Sequence, residues 1–138
     1  MSSFELRQAL FDEVKKLAPG LLVIDADDDP RFSDIPPLDT PWLAVVHSST
    51  SEELASIGSR GSDCWSEVSV VSLHYFSPAG TDKRTSLKAF DDLRKGLRAA
   101  RLSDGVYVLD AAPPQTVGVS GKWLERVSFV DVERRNFG

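Results

Sequence analysis

Residues 71–94 read VSLHYFSPAGTDKRTSLKAFDDLR, and the division of this stretch decides the fold. Val71, Leu73 and Tyr75 alternate with polar residues, the period of a strand with one buried face. Pro78 lacks a backbone donor and ends the strand, Gly80 permits a sharp turn, and Thr81 is placed to cap a helix with Asp82 in its first turn. From there the apolar spacing changes to that of a helix, with Leu87, Phe90, Leu93 and Leu97 as its stripe. The competing reading is a phosphate cradle. A Walker-type loop needs several amides and a Gly-Lys pair converging on the phosphates, and PAGTDK has one glycine and no such pair. The second glycine loop, VGVSGKW, has Gly121-Lys122 but holds Thr116 where the first glycine belongs and Trp123 where Ser or Thr is required. The stretch therefore reads as a strand–corner–helix unit.

Upstream, CWSEVSVVSLHYF (64–76) is one long strand and WLAVVHSS (42–49) another, with pairing expected to extend towards Ile57. The glycines and small polar residues of GSRGSD (58–63) suit the tip of the hairpin between them. Residues 27–41, DDDPRFSDIPPLDTP, form a proline- and aspartate-rich connector. Before it, LLVIDA (21–26) is a short strand, and Phe4 to Leu17 a helix with Ser2 and Glu5 at capping-box spacing and Leu6, Leu10, Val14 and Leu17 on one face. Downstream, VYVLDA (106–111) and WLERVSFVDVERR (123–135) are strands separated by a loop, PPQTVGVSGK, and residues 134–138 form a loose C-terminal end. The expected fold is α+β: two helices packed on a mostly antiparallel sheet, order α-β-β-β-α-β-β, in a single domain spanning 1–138. The strands from Cys64 and from Trp123 carry apolar residues on both parities, and two helices cover one face only. The other face needs cover from curvature or from a second subunit.

The 138 residues suit one domain, and the net charge of -5 argues against a dedicated nucleic-acid binder. Cys64 is the single cysteine, which rules out an intrachain disulfide and a cysteine-based zinc site. The opening MSSFELRQAL is too charged for a secretory signal, and no apolar run approaches the roughly 20 residues of a membrane span. Folding in a cytoplasm is expected.

Catalytic and metal motifs fail on their spacing. Asp25, Asp27 and Asp29 alternate as a calcium loop begins, but Pro30 and Pro36 stand where that loop needs Gly and Glu. His47 and His74 fall on neighbouring strands with no third ligand in view, and no G-x-S-x-G elbow exists for a nucleophile. Trp42, Trp65 and Trp123 stand at strand starts, as packing groups or as partner anchors. Lys88 with Asp92, and Asp91 with Lys95, are i,i+4 pairs of a solvated helix face. The reading is not an enzyme, with no cofactor and no metal.

In order along the chain, a helix ending LAPG, a short strand, a proline-rich connector leading into TPWLAVVHSS, the GSRGSD tip, the strand–PAGT corner–helix unit and a closing strand resemble the tail terminator (tail completion) proteins of long-tailed bacteriophages and phage-like particles. The likeness covers nearly the whole sequence. It implies a structural virion protein, assembled in the bacterial host cytoplasm, that forms a hexameric homo-oligomeric ring at the head-proximal end of the tail tube. Such a ring stops tube polymerisation, contacts the tail tube protein and the head-tail connector or stopper of the neck, and lets DNA pass its lumen without specific binding. No membrane is involved. On this reading the exposed contact candidates are Asp27, Asp28, Asp29, Arg31 and Phe32 in the connector, Ser59, Arg60 and Asp63 at the tip, and Arg134, Arg135 and Phe137 at the end. The alternatives are another head-tail connector or neck adaptor, a monomeric cellular adaptor, or a small anion-binding enzyme or module using the turn from Pro78 to Lys83.

Overall fold

The computed structural model describes residues 4–25, 40–56, 64–80, 83–98, 102 and 106–137. The elements are α1 (Phe4–Leu17), β1 (Leu22–Asp25), β2 (Trp42–Ser56), β3 (Cys64–Pro78), α2 (Lys83–Leu97), β4 (Val106–Ala111), β5 (Gln115–Ser120) and β6 (Trp123–Phe137). The α+β class stands: two helices on a mixed six-stranded sheet of order β1-β2-β3-β6-β4, with β5 also against β6. Only β1 with β2 is parallel among these pairings.

Three strands of 15 residues, each about 50 Å long, dominate. β3 lies between β2 and β6 and is paired to β6 without a slip from Cys64↔Phe137 to Pro78↔Trp123. Asn136 and Phe137, beyond the end of the expected strand, thus continue β6, and Arg134 to Phe137 pair with residues 64–67 of β3. The expected PPQTVGVSGK loop contains the additional strand β5. Its signal is weak because Gly118 lies at a bulge that interrupts a six-residue strand. β4 and β5 follow one another along the same edge of β6. Between them Ala112 N–H donates to Phe129 O at 2.8 Å, and Pro113 and Pro114, without donors of their own, break the ladder. Gly121, at φ 60, makes the two-residue turn from Ser120 to Trp123.

Because β3 and β4 both run antiparallel to β6, they are parallel to each other, and the link through α2 must cross the sheet. That crossing lays α2 beside α1 on one face. The core there joins Leu6, Leu10 and Val14 of α1 and Phe90, Leu93 and Leu97 of α2 to the sheet. Its sheet residues include Leu43, Val45, Val71, Leu73, Tyr75, Val130 and Val132. Phe90 stacks on Tyr75 at 5.1 Å between centroids. Where the helices meet, a Cβ on Gly96 would come within 3.2 Å of Leu17 Cδ2, so the missing side chain sets their approach. Arg7 Nη2 holds Asp25 at 3.3 Å and ties α1 to β1.

The α2 stripe differs from expectation at one position. Leu87 is 43% exposed, and the buried face is Ser86, Phe90, Leu93, Arg94 and Leu97. Arg94 lies within the buried face because Asp91 takes its Nε and Nη2 at 3.1 and 2.6 Å. The two expected i,i+4 pairs are present, Lys88–Asp92 at 2.7 Å and Lys95–Asp91 at 3.1 Å. Thr81 and Asp82 lie outside the described residues.

The opposite face also packs. Ile24, Trp42, Ala44 and Trp123 form a second buried cluster joined by Leu22 and Phe76. Trp42 stacks on Phe76 at 4.2 Å and meets Trp123 edge-on at 6.2 Å. Both indoles therefore pack within the subunit, while the side chain of Trp65 is outside the described set.

Phe90→Ala is expected to cost about 3–5 kcal/mol, because it removes a buried ring and leaves a cavity against Tyr75; the midpoint of urea unfolding measures this. The hydrogen bond from Arg94, then that from Lys95, holds the Asp91 carboxyl below its ordinary value. A depressed carboxylate contributes stability above its unfolded pKa and loses it as pH falls through the folded one. Asp91→Asn should lower the melting temperature at neutral pH and flatten its fall below about pH 4.

Candidate functional site

The corner between β3 and α2 is held from three sides. Ala79 N–H donates to Lys122 O at 2.8 Å, joining the corner to the β5–β6 turn. Beneath the first turn of α2 lies Arg126, only 4% exposed. Its Nη1 donates to Ser86 Oγ at 2.7 Å and its Nη2 to Lys83 O at 3.2 Å. Ser86 Oγ in turn donates to Lys83 O at 3.1 Å. Both terminal nitrogens of the guanidinium are thus committed to protein acceptors beneath the helix, while its Nε is buried without one, and the corner works as a joint between β3, α2 and β6. Arg126 also faces Tyr75 across the β3–β6 register. Burial pushes the Tyr75 phenol above its ordinary value, and the Arg126 charge pulls it partly back.

The two histidines are on neighbouring strands but are not brought together. His47 is opposite Val71 on the helix-facing parity, and His74 is opposite Ala44 on the other. His74 Nδ1 meets Glu125 Oε2 at 2.8 Å and its Nε2 meets Ser72 Oγ at 3.0 Å. This is the order hydroxyl, imidazole, carboxylate, which sequence reading missed. The visible half of its signal is the i,i+2 spacing of Ser72 and His74 on one strand; Glu125 joins only through the register. Ser72 is 4% exposed in a strand paired on both sides, so its backbone is laddered and no amide is turned out beside the hydroxyl to receive an oxyanion. The three groups fix one another across β3 and β6. Among the described residues, no group of three His, Cys, Asp or Glu is placed to hold a metal, and no helix is long and apolar enough to cross a membrane.

Of the contact candidates, Asp27, Asp28, Asp29, Arg31, Phe32, Ser59, Arg60 and Asp63 lie outside the described residues. Arg134 is half-buried in β6 and stands across from Glu67, itself 4% exposed. The backbones of Arg135 and Phe137 are in β6, opposite Ser66 and Cys64. Exposed apolar groups lie elsewhere. Phe129 is 44% exposed on the sheet face away from the helices, Leu109 is 49% exposed at a bulge of β4, and Val117 and Val119 of β5 are 59% and 60% exposed. A half-open cleft of about 390 Å³ lies at the end of α1 beside α2, lined by Leu17, Leu21, Tyr75, Ala89 and Leu93, with Asp92 its one acidic group.

No protein-family model and no curated protein matches the chain. Solved structures share its fold. One, designated only by a sequence label, superposes with a TM-score of 0.58 at 14% identity, over 100% of this chain and 99% of that one. Another belongs to the "Virion of native gene transfer agent (GTA) particle", with a TM-score of 0.50 at 20% identity, over 96% of this chain and 98% of that one. The chain thus has, over nearly its full length, the fold of a protein that resides in a virion particle.

Arg126→Met, made in a Tyr107→Phe background so that Tyr75 is the one remaining tyrosine, should move the Tyr75 phenol to still higher pH, because the opposing charge is gone. The phenolate absorbance titration reads this directly. A phenol kept neutral by folding contributes stability below its unfolded pKa of about 10 and loses it as pH rises through the raised value, so the variant's alkaline loss should begin at the same pH, run on to higher pH and be larger in total.

Proposed function

We propose that this chain is a structural protein of a phage-like particle, and specifically a tail terminator acting in assembly rather than catalysis. In this role copies form a six-fold ring on the head-proximal end of the tail tube. One surface complements the last ring of tube protein, and the other meets the connector or stopper of the neck. The observation that carries the reading is the fold likeness, end to end, to a chain of a gene transfer agent virion. The ordered run of helix, connector, hairpin, PAGT corner and closing strand agrees with it.

The physics suits the role. A terminator works by matching one surface and failing to match the next, so its business lies in shape and exposed groups rather than in a cleft. The chain's net charge of -5 is compatible with a lumen through which DNA slides without adhering. A sheet with packed groups on both faces and large exposed side chains on its free face suits burial between subunits.

The test is to add the purified chain to its polymerising tail tube protein and follow tube length by negative-stain microscopy, with the mass of the chain alone and with tubes. Tubes that stop growing and carry a six-fold cap at one end support the role, whether the ring forms before or on the tube. Tubes that grow unchanged at high concentrations of the chain overturn it, and binding to neck proteins alone assigns the chain to the neck instead.

A further inference from the structure

Two exposed patches of this molecule are chemical opposites. On the sheet face away from the helices, Phe129 is 44% exposed, and Leu109, at the β4 bulge two residues further along β6, is 49% exposed. Leu109 and Asp110 form the bulge set against Asp131, with Asp110 and Asp131 direct cross-strand partners. Like charges placed so destabilise a sheet unless something answers them. Within the subunit nothing does: neither carboxylate has a hydrogen bond or a charged partner among the described residues. On the helix layer the pattern is reversed. Leu87 is 43% exposed, one turn after Lys83 and Arg84 and next to Lys88, all of them exposed.

We propose that these patches bind one another in successive copies of this chain. Leu87 of one copy seats against Phe129 and Leu109 of the next, and Lys83 and Arg84 answer Asp110 and Asp131. A second copy is the occupant because the same chain carries both halves of the match, apolar with acid and apolar with base. The apolar contact supplies most of the affinity, and the charges fix register and exclude wrong partners. The patches lie on opposite layers, so the contact runs head to tail, and every copy keeps one patch free until the set closes. The inference rests on the reading of the chain as a homo-oligomer and names the surfaces that reading leaves open.

The experiment uses the full chain without tube protein and reads mass by light scattering over a concentration series. One variant carries Asp110→Lys with Asp131→Lys, the other Lys83→Glu with Arg84→Glu. The wild type should assemble, each variant alone should need at least about tenfold more protein to do so, and an equal mixture of the two should assemble as the wild type does, since each reversed patch then meets its complement. Circular dichroism and melting confirm that the variants are folded. Leu87→Ser, an exposed helix position, must weaken assembly as well and gives a second route if a reversal in the sheet unfolds. A wild type that stays monomeric throughout, reversals that assemble normally, or a mixture that fails to recover each overturn the inference. Those outcomes leave the terminator reading to be decided by tube capping, and a chain that assembles through these patches yet never caps a tube sinks that reading alone.

Discussion

The register between β3 and β6 governs the rest of the structure. Fifteen residues pair without a slip, and because side chains alternate with a period of two, that one alignment fixes the face on which every group of both strands falls. It sends Val71, Leu73 and Tyr75 to the helices together with Val130 and Val132, and places Arg126 under α2. It sends His74 and Glu125 to the other face as partners and leaves Phe129 in the open. A shift by one residue would bury the Glu125 and Asp131 carboxylates among apolar groups and expose the core, a cost far beyond the marginal stability of a domain this size.

The joint at the PAGT corner translates that register into the third dimension. α2 leaves β3, crosses β6 and delivers the chain to β4, which runs parallel to β3. The crossing is fixed at its start by Arg126 on Ser86 and Lys83 O, and near its end by Arg94, whose Nη1 reaches Ala111 O at 3.5 Å in β4. Two buried guanidinium groups, each committed to carbonyl, hydroxyl or neighbouring carboxylate, locate the helix more narrowly than leucine packing alone, because hydrogen bonds have direction.

Much of this was legible in the sequence where periodicity is strong. The helix over Phe4–Leu17, the strand over Val106–Ala111 and the two-helix, mostly antiparallel plan follow from spacing, and the PAGT corner from proline, glycine and the change of period. Leu87 was misplaced because Ser86 is buried under Arg126 of β6 and Arg94 is buried by its bonds to Asp91 and to Ala111 O of β4, partners that helical spacing does not show. β5 was hidden by the two prolines just before it and by its own glycine, and the end of β6 by polar residues whose strand character comes from pairing with β3. Glu125's part in the Ser72–His74–Glu125 set and the opposed Asp110 and Asp131 were invisible because each depends on the register between two strands. The expected contact residues were drawn from loop composition, whereas the described exposed apolar groups lie on strands and on both helices, where composition gives no sign of them.

The broken edge formed by β4 and β5 has a further meaning. A long sheet such as this one, left with an uninterrupted outer strand, would offer another chain a row of unsatisfied amides to extend. Here two bulges, a proline pair and a glycine cut that row into pieces too short and too twisted to be copied. The sheet finishes in a frayed hem instead of a straight border. Along this border the chain is a poor template for strand addition by any further chain.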